Sequence, residues 1–139
     1  MPYPNVSIQT GHHNRLVAWA DVYWYDFSTP TSGQFTFAGP HPCLVLSDCT
    51  QVLPATVVVA PLSSIQHIRS QYIFHVPVTC NACPWLDNDS FIKIDQLYCI
   101  DRARLIDEHY IGTMPQHLMT TVYAALIRSL NFQAANPSP

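Results

Sequence analysis

Five short runs rich in β-branched and aromatic residues follow one another at residues 16–27, 43–47, 56–61, 72–78 and 91–94, separated by segments of Pro, Ser, Gly, Asn and Asp. Parallel strands need long crossovers, usually helical, whereas breaker-rich connections suit antiparallel neighbours. The spacing therefore predicts a small barrel or sheet rather than a series of βαβ units. In the first run Val22 and Trp24 fall on one face and Tyr23, Tyr25 and Phe27 on the other, as expected for a strand covered on both sides.

The pattern changes at Thr113-Met-Pro-Gln116, where Thr113 can cap a helix, Pro115 fits its first turn and Gln116 takes the reciprocal capping-box position. Leu118, Val122, Ala125, Leu126 and Leu130 then recur at helical spacing, with Gln116, Thr120, Thr121 and Arg128 turned toward water. The expected architecture is mainly β, a small barrel closed by a C-terminal helix. At 139 residues the chain makes one domain. Residues 1–14 and 134–139 lack periodicity and read as loose ends, which leaves a domain at residues 15–133.

Six Lys plus Arg face nine Asp plus Glu, so any contact with nucleic acid has to be local rather than a general attraction to polyanions. Five cysteines are an odd set with no repeated framework, which suits a reduced compartment. The N-terminus lacks the basic and apolar regions of a secretory signal, and no run of 18 apolar residues exists to span a membrane. A cytoplasmic protein is expected.

The most informative stretch is Asp21-Val-Tyr-Trp-Tyr-Asp-Phe27, a polar loop, then Pro40-His41-Pro42-Cys-Leu-Val-Leu-Ser47. Val57-Val-Val-Ala-Pro-Leu-Ser63-Ser64 and Phe91-Ile-Lys93-Ile-Asp95-Gln96-Leu-Tyr98-Cys-Ile-Asp101-Arg-Ala-Arg-Leu105 follow in order. This succession, over about residues 20–131, resembles the MazF/PemK family of toxin endoribonucleases. The resemblance implies an SH3-like barrel of the CcdB/MazF type that forms a homodimer and cleaves single-stranded RNA without a metal or other cofactor. It also implies a cognate antitoxin whose disordered tail fills the RNA groove. The family's products are a 2′,3′-cyclic phosphate and a 5′-hydroxyl. That chemistry needs a group to take the 2′-hydroxyl proton, one to protonate the leaving oxygen, and donors for the phosphoryl oxygens.

By the same resemblance, His41 stands where the family carries Arg. Histidine carries protons well near neutral pH but lacks the permanent charge and planar fork of Arg. Ser63 matches a hydroxyl residue that contacts the scissile phosphate, with Ser64 as its neighbour. Lys93 and Asp95 match an Arg and an Asp of PemK-type active sites, and as alternating residues on a strand they are expected to share a face. Gln96 follows them. Tyr98 replaces a common Arg and offers a stacking surface, as do Phe35 and Phe37 beside Gln34 in the polar loop. Each residue also has a structural reading: a packing His, a strand-terminal Ser, an ion-paired Lys, a turn-forming Asp, aromatics that anchor a loop.

Cys80-Asn-Ala-Cys83 has the spacing of a metal knuckle, but a structural zinc site wants four ligands and there is no second such pair. Cys99 or His75 would have to complete it, and His12-His13 lacks a third ligand. Besides an endoribonuclease, two other readings remain open: a non-catalytic family member that binds antitoxin, RNA or protein, and a toxin aimed at a protein target, as CcdB is. A shared fold does not separate them.

Overall fold

The computed structural model describes residues 11–27, 39–50, 53–64 and 74–131. The chain enters through a tight turn in which the Asp21 N–H donates to Ala18 O, with Ala20 in the left-handed region at φ 77°. That turn keeps residues 16–20 out of the strand expected there. The strands are β1 (Asp21–Asp26), β2 (Pro40–Val45), β3 (Thr56–Ser64), β4 (His75–Val78), β5 (Ser90–Lys93), β6 (Tyr98–Asp101) and β7 (Tyr110–Thr113), and the helix is α1 (Gln116–Ser129). Short 3-10 turns at Arg102–Arg104 and Asp107–His109 join β6 to β7.

The strands form an antiparallel half-barrel in the order β4-β5-β3-β2-β1-β7, with β6 also on β3. β3 is the central element, and its partner strand is split. Along the ladder β3 steps from Leu62 to Val59, three residues, while its partner steps from Ile92 to Tyr98, six. The excess loops out between β5 and β6 as a turn closed by the Gln96 N–H donating to Lys93 O at 3.2 Å. Asp95 therefore sits in this turn and not on the strand with Lys93, contrary to the alternation expected from sequence. β6 and β7 were not anticipated.

The two faces of the sheet bury separate cores. One gathers Val22, Leu44, Ala60, Leu62 and Ile92 beneath α1, which contributes Met119, Val122 and Ala125. The other gathers Tyr23, Phe27, Cys43, Val45, Val57, Val59 and Ile100, with Val17 and Leu105. The alternation read in β1 is thus observed, and both of its faces are covered.

The helix begins two residues later than a Thr113 cap would set it: Pro115 is the N-cap and no side chain caps it. Thr113 closes β7 instead, its hydroxyl donating to the Asp21 carboxylate at 3.2 Å. Leu118 and Leu126 pack beside Met119, Val122 and Ala125. Leu130, expected on the buried stripe, is 50% exposed, and Tyr123 at 62% and Ile127 at 38% form with it a second apolar stripe. No helix among the described residues is long and apolar enough to cross a membrane.

Candidate functional site

Strand alternation places His41 of β2, Ser63 of β3, Lys93 of β5 and Tyr98 of β6 on one face, the face of Tyr25 and Phe27. His41 pairs with Tyr25 across β1, Ser63 with Phe91, and Tyr98 with Val59. The β2–β3 ladder ends at Cys43 and Pro61, two residues short of the level at which His41 and Ser63 stand opposite each other. Ser63 is buried, while His41, Lys93 and Tyr98 are half-buried.

Beside this row lies a small charged cluster. His75 of β4 pairs directly with Lys93, and its Nε2 is 3.2 Å from Asp95 Oδ1. Burial pushes the His75 pKa below its ordinary value, Asp95 pulls it back up, and Lys93 pushes it further down. Burial likewise lowers the Lys93 pKa, against the pull of Asp95. The turn thus delivers the Asp95 carboxylate to both groups although it leaves the strand. Gln96, next in the turn, has a buried Oε1 with no hydrogen-bond partner among the described residues. In sequence His75 offers only a possible metal ligand. Its place opposite Lys93 depends on the β4–β5 register, which no local spacing announces.

The far end of the face is aromatic. The Phe27 ring lies 4.9 Å from Tyr25, 4.8 Å from Tyr98 and 6.5 Å from His41, centroid to centroid. The Arg104 guanidinium sits over the Tyr25 ring, 5.0 Å from its centroid, within cation–π range. Arg104 was not singled out from sequence; the motif Asp101-Arg-Ala-Arg-Leu105 held the signal, and the 3-10 turn brings it back toward the strand that pairs with His41. Tyr98 spends part of its ring on Phe27. Gln34, Phe35 and Phe37 lie outside the described residues.

Ser64, one residue beyond Ser63, turns to the opposite face and lines a cavity of about 170 Å³ with Trp24, His41, Trp85, Asp87 and Asn88 among its walls. Trp85 lies flat on the backbone of β7, since a Cβ built on Gly112 would meet three of its ring carbons at 2.5 Å. His41 is therefore common to the cavity and to the face that carries Ser63 and Lys93.

The cysteine pair is held by packing and backbone contacts. Cys83 Sγ is buried 3.8 Å from Met114 Sδ, and the Cys80 N–H donates to the Asp89 carboxylate. Among the described residues no three His, Cys, Asp or Glu side chains gather as a metal site. His12 is held by Glu108, whose carboxylate accepts from its backbone N–H.

Residues 19–130 match the sequence model of a family described as PemK-like, MazF-like toxins of type II toxin–antitoxin systems. Among curated proteins no significant match was found. Solved structures share the fold. MazF from Deinococcus radiodurans superposes with a TM-score of 0.67 at 20% identity, covering 86% of this chain and 100% of that one. A mycobacterial endoribonuclease in complex with its cognate antitoxin gives 0.65 at 19% identity, covering 84% and 97%. A MazE–MazF complex from D. radiodurans gives 0.61 at 21%, covering 84% and 98%.

Proposed function

We propose, for a chain that belongs to the PemK-like, MazF-like toxins of type II toxin–antitoxin systems, that it is an endoribonuclease acting on single-stranded RNA in the cytoplasm. The observation that carries the reading is the placement of His41, Ser63 and Lys93 on one sheet face, with Asp95 brought to Lys93 and His75 by the turn after β5. The 2′-hydroxyl of the RNA attacks the adjacent phosphorus, the bond to the 5′-oxygen breaks, and the products are a 2′,3′-cyclic phosphate and a 5′-hydroxyl. With the nucleophile supplied by the substrate, no metal-activated water is required.

In this reaction His41 takes or returns the proton, Ser63 donates to a phosphoryl oxygen, and Lys93 offsets the charge that grows there. Asp95 orients the cationic side of the site. Gln96, Ser64 and Tyr98 contact the RNA, together with Gln34, Phe35 and Phe37 from the loop. The toxin domain occupies residues 15–133. Its partner is a cognate antitoxin that covers the same face, and the molecule is a homodimer to which the exposed Tyr123, Ile127 and Leu130 stripe contributes.

A second reading, a binding protein for antitoxin, RNA or protein that has lost cleavage, draws on His41 in place of the family's Arg and on the burial of Ser63 at 6% exposure. Single-turnover cleavage of a labelled single-stranded RNA in chelator, by antitoxin-free protein, separates the two. Cleavage that falls by about 10²- to 10⁴-fold in His41→Ala, with folding intact, fits a proton-transfer role. An uncut RNA favours the binding protein.

A further inference from the structure

We propose that the cavity between Trp24 and Trp85 is a nucleobase subsite that takes one unpaired base of the RNA beside the scissile bond and selects an edge bearing an amino group. The inference rests on the endoribonuclease reading and adds to it a base-selecting site.

The cavity's size sets the first limit. At about 170 Å³ it is smaller than the roughly 300–1,000 Å³ of sites for whole drug-sized ligands, so it holds one planar ring system and not a nucleotide. Its walls set the chemistry. Trp24 and Trp85 supply half-buried indoles, and bases stack on aromatic faces irrespective of identity. Asp87 and Asn88 stand exposed at the mouth. A carboxylate only accepts hydrogen bonds, so Asp87 favours the amino groups of cytosine or adenine over the carbonyl that uracil presents at the same place. Asn88 can donate or accept toward the same edge.

Position ties the cavity to the reaction. The end of β3 turns Ser63 to the face of Lys93 and Ser64 into the cavity, and His41 lines the cavity while pairing with Tyr25 of the other face. An RNA strand crossing this rim with a phosphate at Ser63 and His41 has its attached base within reach of the cavity that the two indoles line. Trp85 is braced for that contact. Gly112 lets the indole lie against the β7 backbone, which fixes one wall before any base arrives.

The test uses 2′-O-methyl hexamers of adenosine, cytidine or uridine, which resist cleavage, with tryptophan fluorescence and anisotropy as readouts, beside cleavage-site mapping on a long RNA. Wild-type protein is expected to bind the cytidine or adenosine hexamer more tightly than the uridine one, with quenching of the indoles. Trp85→Ala should weaken all binding by roughly tenfold, the scale of losing one stacked base. Asp87→Asn should shrink the preference against uridine and broaden the cut sites. Should Trp85→Ala fail to fold by near-ultraviolet circular dichroism, the nearly isosteric change at exposed Asp87 decides alone. Unchanged affinity, base ratio and cut sites in the folded variants, with wild type binding and cutting RNA, overturn the subsite alone. A wild type that neither binds nor cuts overturns the endoribonuclease reading and the subsite together.

Discussion

His75 Nε2 and Asp95 Oδ1 stand 3.2 Å apart, joining β4 to a turn that interrupts the strand it pairs with. The contact gives the Asp95 turn a structural consequence: it returns a carboxylate to the row of His75 and Lys93. Burial disfavours the charged imidazole, and Asp95 partly restores it. Asp95→Asn should accordingly lower the His75 pKa, and an NMR titration of the ring protons reads it directly. A titration unmoved by the change would show that the two groups do not communicate.

Acid should weaken the fold through its buried imidazoles. His109 is 2% exposed, and burial lowers its pKa as it does that of His75. The folded form then binds fewer protons than the unfolded, so this stability is present above about pH 6.5 and is lost as pH falls from there through the lowered folded values. His12, raised by Glu108, acts with the opposite sign, present below about pH 6.5 and lost as pH rises, but from a fully exposed position. The urea midpoint should therefore fall between about pH 7 and 5, less steeply in His109→Gln. A midpoint that rises on acidification would contradict this.

Gly112 is required by the indole on its backbone. With Trp85 ring carbons 2.5 Å from the site of a Cβ, Gly112→Ala must displace the ring or the strand. A loss of about 1–3 kcal/mol in equilibrium unfolding is expected, as for other overpacked positions. Because Trp85 lines the cavity, its fluorescence should shift in the folded variant as well.

Asp21 ties the chain entry to the last strand. It is 1% exposed and accepts from the Ala18 N–H, from Arg15 Nη2 at 3.0 Å and from the Thr113 hydroxyl. Asp21→Ala leaves these donors without their acceptor and should cost about 2–4 kcal/mol. Arg15→Ala should cost less, since the Arg15 side chain is 40% exposed, even though it also gives up the Tyr110 ring. The two single variants and the double, by urea unfolding, measure the coupling.

Much of this architecture was legible because local patterns are strong where both faces are buried. The two faces of β1 follow from spacing, as does most of the apolar stripe of α1, where Leu130 is exposed and Met119 is buried instead. Tertiary hydrogen bonds decided the rest. Thr113 looked like a helix cap, yet Asp21 claims its hydroxyl, and β6 was obscured because its pairing with β3 resumes only after residues 94–97 loop out. Of the residues proposed for the site, His41, Ser63, Lys93 and Asp95 come from the ordered motifs. His75 beside Lys93, Arg104 over Tyr25 and Trp85 on Gly112 needed the fold, since each comes from an element whose register or turn has no short-range signature.

Internal attack of the 2′-hydroxyl on this face is the proposed route of RNA cleavage. The most direct measurement is end-group mapping of a long single-stranded RNA after incubation with antitoxin-free protein in chelator. Discrete fragments with 2′,3′-cyclic phosphate and 5′-hydroxyl ends are expected, absent with His41→Ala. Intact RNA with folded wild-type protein, or fragments carrying 5′-phosphates, would contradict it.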